Sequence, residues 1–243
     1  MTAGGSLLLV PALLGDSPPE SVLPARTLAL ARTARHWVVE TPKAARAYLK
    51  AIGHPGPIAS LDIRELPERA DASTLAALLA PARAGHAVAL VSDAGAPGVA
   101  DPGAALVATA HASGLRVVPL VGPSSVLLAL MASGLSGQAF AFHGYLPVRD
   151  PERAARLREL EAESRASSRT QVFIETPFRN AAMLATLVAT LSPRTRLAVA
   201  VDLTLPTESI AMRTIERWRG VDGAAYQRRP AVFLFEAERG RGA

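Results

Sequence analysis

Short apolar runs alternate with amphipathic segments along the first half of the chain. Apolar runs of five or six residues occupy positions 6–10, 36–40, 57–61, 86–91 and 116–120. Runs of this length predict strands buried on both faces of a parallel sheet. Between them, the apolar spacing predicts helices over 24–34, 42–53, 74–84 and 102–112, several of them ending at a glycine.

The second half has a different pattern. An apolar helix ending at Gly134 follows the turn around Gly122, and further helices are predicted at 150–163, 180–191 and 215–220. Strands are predicted at 139–147, 170–175, 196–204, 208–215 and 230–236. Because the last strands follow one another directly, we expect a mixed second sheet. The sequence therefore predicts an α/β fold of two α/β domains, 1–121 and 122–243, with a mainly parallel first sheet and a ligand cleft between the domains.

Composition narrows the classes of function. The chain has no cysteine, and its five histidines show no metal-ligand spacing, so we expect no metal site. No apolar run reaches the roughly 18 residues that span a bilayer, and no basic leader precedes the first strand. We therefore expect a cytoplasmic protein that does not contact a membrane. The basic excess lies mainly beyond Val121, with 16 basic and 12 acidic residues there, which suits an anionic partner such as nucleic acid but is also consistent with ordinary surface charge.

The loop 91–103, with sequence VSDAGAPGVADPG, carries the clearest candidate chemistry. No P-loop, dinucleotide-binding glycine motif or nucleophile elbow accompanies it, so its glycines suggest a ligand held by backbone groups. Asp93, directly at the predicted strand end, is a candidate for a ribose hydroxyl or amino group. Asp101 is a candidate helix cap and a candidate contact to substrate.

Two more segments carry candidate residues. Ser124 and Ser125 stand at a predicted helix start, where they could cap the helix or leave N–H groups for a carboxylate. Glu175 follows a buried strand and stands four residues before Arg179. The pair is either a surface ion pair or a contact to ligand and anionic substrate.

These loops, in this order, resemble the tetrapyrrole methylase superfamily. The segments that carry the resemblance are SLLLVPALLGD, VSDAGAPGVADPG, VVPLVGPSSVLLALMASG, FAFHGYLP, FIETPFRN and PAVFLF. Within the superfamily the chain looks most like the branch of small-subunit ribosomal RNA 2′-O-methyltransferases. The resemblance implies two α/β domains, S-adenosylmethionine as cofactor, and a homodimer. It also implies the cofactor-binding residues Pro11, Ser92, Asp93, Ala94, Gly95, Val99, Ser124, Ser125, Glu175 and Pro230.

The acceptor and the catalytic base stay open at this point. The loop reads SDAGAP where the branch has SDAGTP, so Ala96 lacks a hydroxyl. The candidates for acid, base or oxyanion chemistry are Glu40, Lys43, Asp101, Tyr145 and Arg179. His143 is a further possible base, although a lone histidine at a strand end is more often structural.

Three functions are consistent with these observations. The first is a methyltransferase acting on ribosomal RNA or the small ribosomal subunit, at a ribose 2′-hydroxyl. The second is the same chemistry on a small-molecule acceptor, tetrapyrrole-like or other. The third is a protein that binds S-adenosylmethionine without catalysis.

Overall fold

The computed structural model describes residues 5–238. The chain divides into two compact units, Met1–Ser124 and Ser125–Ala243. The boundary at 121/122 that the sequence suggested stays a prediction, three residues from this division.

The first unit contains a five-stranded sheet in which every strand pairing is parallel. The strands lie in the order β3-β2-β4-β1-β5. Their bounds are Ser6–Leu9 (β1), His36–Val39 (β2), Asp62–Glu65 (β3), Ala87–Val91 (β4) and Arg116–Pro119 (β5). The central strands β1, β2 and β4 are almost completely buried, as their apolar runs predicted.

Helices cover the sheet of the first unit. They are Pro19–Val22 (α1), Ala25–Thr33 (α2), Pro42–Ala51 (α3), Ala72–Leu78 (α4), Ala80–Arg83 (α5) and Ala104–Ala112 (α6). Two clusters of buried side chains form the core of this unit. One includes Trp37 and Leu49, the other Leu79 and Leu106.

Two predicted elements of the first unit are wrong. Residues 58–60 form a single 3-10 turn after Pro57 rather than a strand, and the strand begins only at Asp62. Strand β3 has no fully buried position, so it lacks the apolar signal that marks the other strands. The predicted helix 74–84 is two helices, α4 and α5, that meet at Leu79.

The second unit contains a mixed five-stranded sheet. The strands lie in the order β6-β7-β10-β8-β9, with β6 and β7 parallel and the other pairings antiparallel. Their bounds are Phe140–Tyr145 (β6), Thr170–Glu175 (β7), Arg196–Val201 (β8), Ser209–Thr214 (β9) and Ala231–Glu236 (β10). The predicted α/β fold, with a parallel first sheet and a mixed second sheet, is confirmed.

Helices and aromatic packing complete the second unit. The helices are Ser125–Ala132 (α7), Asp150–Ser167 (α8), Asn180–Thr190 (α9) and Ile215–Trp218 (α10). In the core, the rings of Phe173 and Phe233 stack with centroids 5.6 Å apart on the paired strands β7 and β10.

Within residues 5–238, no helix is both long enough and apolar enough to cross a membrane.

Candidate functional site

The carboxyl ends of the strands in the first unit meet at one edge of its sheet. Hydrogen bonds continue the ladder just past the strands, from Val10 N to Leu90 O at 2.8 Å and from Glu40 N to Val91 O at 3.3 Å. The chain after β5 joins the same edge through Leu120 N, which donates to Leu9 O at 3.0 Å. In open parallel sheets this edge is where ligands bind.

Asp93 is fixed by the end of the neighbouring strand β2. Its carboxylate accepts hydrogen bonds from Thr41 N at 3.1 Å and from Thr41 Oγ1 at 2.9 and 3.1 Å. In return, Asp93 N donates to Glu40 Oε2 at 3.0 Å. The Thr41 hydroxyl also caps α3 by accepting from Ala44 N at 3.4 Å. These bonds join the loops after β2 and β4 into one rigid structure in which Glu40 and Asp93 lie side by side.

Asp101 completes a group of three carboxyl groups. Burial, together with the charges of Glu40 and Asp93, raises the pKa of Asp101 to about 6, although a hydrogen bond from the Ser92 hydroxyl acts in the opposite direction. The Ser92 side chain is 5% exposed, and among the described residues its Oγ has no hydrogen-bond partner of ordinary geometry. The first unit therefore brings three carboxyl groups and the buried Ser92 hydroxyl together at this edge of its sheet.

The glycines of these loops let three chain segments approach closely. Ala12 N donates to Gly95 O at 2.8 Å, so the loop after β1 is attached to the loop after β4. Gly95 has φ +69°. A Cβ at Gly122 would lie 2.5 Å from Pro11 Cβ and 2.7 Å from Pro11 Cγ. Only glycine therefore allows the turn after β5 to pack on Pro11.

Asp101 is not a helix cap, which corrects one of the two roles considered for it. Helix α6 begins at Ala104, and its N-cap is Gly103 with φ +142° and no side-chain cap. A Cβ at Gly103 would lie 2.8 Å from Leu90 Cδ2, so this glycine is needed for the loop to pass close to β4. The Asp101 side chain is thus left in the loop, beside Glu40, Asp93 and Ser92.

The other predicted residues of the first unit lie on the same loops with different exposure. Ala94 and Val99 are exposed, Val99 at 46%, while Pro11 is buried. Lys43 is exposed in the first turn of α3. Ser124 is half-buried at the end of the unit. Their role as cofactor or acceptor contacts stays a prediction.

Glu175 in the second unit is a buried carboxylate with one unused oxygen. It is 4% exposed, and its Oε1 accepts from Thr176 N at 2.6 Å and from Arg179 Nε and Nη2 at 2.9 and 2.5 Å. Glu175 Oε2 is buried with no partner among the described residues. Pro230 directly precedes Ala231, which pairs with Glu175 across β10 and β7. An unpaired oxygen of this kind is an acceptor site for a ligand donor.

Three further predicted residues lie in the second unit. Ser125 is half-buried as the first residue of α7. Tyr145 is 57% exposed at the end of β6. The His143 ring is hydrogen-bonded to Gln171 Oε1 at 2.6 Å between β6 and β7, which is a structural role.

Sequence reasoning missed Thr41 and Asp202. Thr41 gave a visible signal, since a threonine before Pro42 at a helix start is a typical cap, but its bond to a residue 52 positions away was not readable. Asp202 accepts from Arg229 Nε at 2.7 Å and from Thr207 Oγ1 at 2.8 Å, and has φ +52°. It holds the loop before β10 in place, and nothing in its local sequence indicated this.

Within the described part of the chain, no cluster of three potential metal ligands is present.

Comparison with known proteins identifies the family. Residues 20–217 match the sequence profile of the Tetrapyrrole (Corrin/Porphyrin) Methylases. In fold, the chain is similar to the methyltransferase CobJ, with a TM-score of 0.63 and 20% identity over 98% of this chain and 97% of that one. A conserved hypothetical protein from Aeropyrum pernix K1 gives a TM-score of 0.67 and 18% identity over 97% and 85% of the two chains.

Sequence relatives are found among ribosomal RNA small subunit methyltransferases I. The chain is 43% identical to the protein of that name from Mesorhizobium japonicum, over 57% of this chain and 46% of that protein. It is 35% identical to the one from Neisseria meningitidis serogroup B, over 87% and 68% of the two chains. A third, from Mycobacterium bovis, is 37% identical over 88% and 72%. The matched stretch is thus about half to nearly three quarters of the length of these relatives.

The chain belongs to the tetrapyrrole (corrin/porphyrin) methylase family. Its similarity to the ribosomal RNA small subunit methyltransferases I confirms the branch that the loop motifs indicated.

Proposed function

We propose that this protein is an S-adenosylmethionine-dependent methyltransferase that methylates a ribose 2′-hydroxyl in small-subunit ribosomal RNA. The observation that carries the proposal is the joined Glu40–Thr41–Asp93 structure with Asp101 beside it. The names of the sequence relatives support the RNA acceptor. The solved methyltransferase CobJ is only 20% identical to the chain, so its similarity shows a shared fold and does not favour a small-molecule acceptor.

The residues present fit S-adenosylmethionine. Its sulfonium and ammonium groups are cations, which suit the carboxyl groups of Asp93 and the neighbouring Glu40. Glu175 Oε2 is buried without a hydrogen-bond partner among the described residues, and a polar ligand would satisfy it. We propose that the cofactor is held by the residues that the family resemblance implied, namely Pro11, Ser92, Asp93, Ala94, Gly95, Val99, Ser124, Ser125, Glu175 and Pro230.

When bound, S-adenosylmethionine supplies an electrophilic methyl group. The contribution of the loops is to hold the ligand in one orientation, because alignment of the reacting atoms is the main requirement of an in-line displacement. The hydrogen bonds from Thr41 keep the Asp93 side chain from rotating. The packing of Gly122 on Pro11 holds the loop after β1 against the turn after β5. This rigidity is set in the free protein, so little order has to be created when the ligand binds.

Among the candidate catalytic residues we propose Asp101 as the base. A carboxyl group with a pKa of about 6 is mostly ionised at neutral pH and can accept the proton of a hydroxyl group at a carboxylate oxygen. Glu40 already accepts a hydrogen bond from Asp93 N, and Arg179 already donates to Glu175, so neither is the proposed base. We assign Lys43 to a contact with the phosphates of the acceptor, because its side chain is exposed and positively charged.

We extend the proposal to a cytoplasmic homodimer. The location follows from the ribosomal acceptor. The dimer follows from the family resemblance and is supported by Leu127 and Met131, which lie one turn apart on α7 and are 52% and 80% exposed. Sedimentation at micromolar concentration should give the mass of two chains.

Titration calorimetry with S-adenosylmethionine tests the shared premise of the proposal. We expect saturable one-site binding in the micromolar range. An absence of heat at millimolar cofactor would exclude the proposed site, whatever the acceptor.

A further inference from the structure

One edge of the sheet in the second unit displays the two most exposed aromatic side chains of residues 5–238. Phe178 is 73% exposed and Tyr145 is 57% exposed. Strands β6 and β7 are parallel, and a register shift between Phe142 and Tyr145 leaves Tyr145 opposite Ile174. Tyr145 therefore ends β6, and Phe178 follows the end of the adjacent strand β7. Exposing large aromatic side chains in water is costly, and such positions mark a surface that binds a partner.

The loop that carries Phe178 is held by several hydrogen bonds. Gln227 Nε2 donates to Phe178 O at 2.5 Å, Arg228 N donates to Pro177 O at 2.7 Å, and Arg179 N donates to Thr176 O at 3.0 Å. The ring is therefore presented by an ordered loop, and little entropy is lost when it contacts a partner.

The loop that follows Tyr145 is fixed in a similar way. The Arg153 side chain is only 3% exposed, and its Nη1 donates to Val148 O at 2.7 Å. Arg153 also contacts Asp150 and Thr186, which attaches the start of α8 to α9. Both aromatic rings thus stand on rigid supports.

The charges at this edge suit a polyanion. The two buried carboxylates, Glu175 and Asp202, are each paired with an arginine, Arg179 and Arg229. Arg228 is exposed with φ +62°, and in the described part of the chain its guanidinium makes no ion pair. Arg149, after Tyr145, is 82% exposed and has only a long contact of 3.5 Å to Glu152. Asp150 and Glu152 are the exposed acids in this loop region.

We propose that this edge, defined by Tyr145, Arg149, Phe178 and Arg228, binds a single-stranded segment of the RNA acceptor. The bases stack on the Phe178 and Tyr145 rings, and the phosphates contact Arg228 and Arg149. Aromatic platforms beside arginines are the usual arrangement for single-stranded nucleic acid, because every base has a stacking face and every linkage has a charge. This inference rests on the proposed RNA acceptor and names the surface that holds it.

The test uses the full chain and a fluorescent, unstructured RNA of about twelve nucleotides, a length in the usual range for one such surface. Phe178→Ala should weaken binding about tenfold, a typical loss for one stacked base. Phe178→Trp should bind like the unmodified protein. Phe140→Ala is the matched control, since Phe140 is a 40% exposed aromatic residue at the opposite end of β6.

Salt dependence separates stacking from phosphate contact. Arg228→Ala should lower the slope of log affinity against log salt by about 0.7, the value for one phosphate contact to a single strand. Phe178→Ala should leave that slope unchanged. Arg158→Ala, an exposed arginine within α8, is the control for a non-specific effect of charge.

Several outcomes would overturn the inference. If Phe178→Ala binds RNA as tightly as the unmodified protein, the proposed stacking surface is wrong, while the proposed function is unaffected. A loss of S-adenosylmethionine affinity in Phe178→Ala would assign the ring to the cofactor, and a change in sedimentation would assign it to a contact between copies. If the unmodified protein binds cofactor but neither binds nor methylates RNA, the RNA acceptor itself is wrong.

Discussion

Three carboxyl groups form the centre of the proposed site in the first unit. Glu40, Asp93 and Asp101 lie together, and burial of Asp101, with the repulsion of its two neighbours, raises its pKa to about 6. A protein retains such a cluster where a cation or a proton has to be handled, and strongly shifted carboxyl groups are concentrated at functional sites.

Replacing Asp93 should weaken cofactor binding without unfolding the chain. In Asp93→Ala, the Thr41 side chain loses its partner and the cluster loses one negative charge. We expect about a tenfold rise in the dissociation constant for S-adenosylmethionine, typical of one lost charge-assisted hydrogen bond. Calorimetry measures the affinity, and circular dichroism checks the fold.

Glu68→Ala is the control for Asp93→Ala, because Glu68 is an exposed acid of the same unit outside these loops. Unchanged affinity in the Asp93 variant would place the cofactor elsewhere.

Replacing Asp101 should change how stability depends on pH. The native carboxyl group keeps its proton up to about pH 6, whereas the unfolded chain releases it near 3.8. Between these values the native state binds more protons, so stability falls as pH rises through this window. Asp101→Asn removes that loss. The variant should match the unmodified protein in melting temperature near pH 4 and exceed it at pH 7.

A constant difference in melting temperature from pH 4 to pH 7 would contradict the account of Asp101. The same variant should lose methyl transfer while it still binds the cofactor, which separates the proposed base from a binding residue.

The elements that the sequence predicted well are those with strong local signals. The buried strands β1, β2 and β4 and the capped helix α3 follow from apolar runs and from Pro42. Strand β3 was missed because it has no buried position to make an apolar signal. Helix α6 starts at Ala104, two residues later than predicted, because Gly103 has φ +142° and is the N-cap rather than part of the helix.

The candidate site was predictable in part only. Loop 91–103 follows a buried strand, so its place at the ligand edge could be read from the sequence. The pairing of Asp93 with Thr41 joins residues 52 apart, and the proximity of Asp101 to Glu40 depends on the same tertiary arrangement. The local sequence pattern does not show which distant residues come into contact in the folded chain.

A substitution at Gly122 tests the close approach of the loops after β1 and β5. Gly122→Ala places a methyl group within 2.9 Å of Pro11 and Leu23 side-chain atoms, which the packed unit can accommodate only by shifting backbone. We expect a loss of about 1–3 kcal/mol in the free energy of unfolding and weaker cofactor binding. Urea denaturation measures the first effect and calorimetry the second.

Gly137→Ala is the matched control for Gly122→Ala, because a Cβ at Gly137 would meet nothing within 4 Å. If both alanine variants are equally stable, the packing of Gly122 on Pro11 does not constrain the loop.

At the scale of the whole molecule, each of the two units supplies part of the chemistry. The first unit provides the carboxyl cluster, and the second provides the buried Glu175 and the basic, aromatic edge. The excess of basic over acidic residues beyond Val121 is consistent with an RNA acceptor.

Transfer of labelled methyl groups from S-adenosylmethionine to small ribosomal subunits that lack the modification tests the central claim most directly. We predict label in the ribosomal RNA, recovered after digestion as a 2′-O-methylated nucleoside, and no label with the Asp101→Asn variant. A protein that binds the cofactor but transfers no label to these subunits would contradict the account.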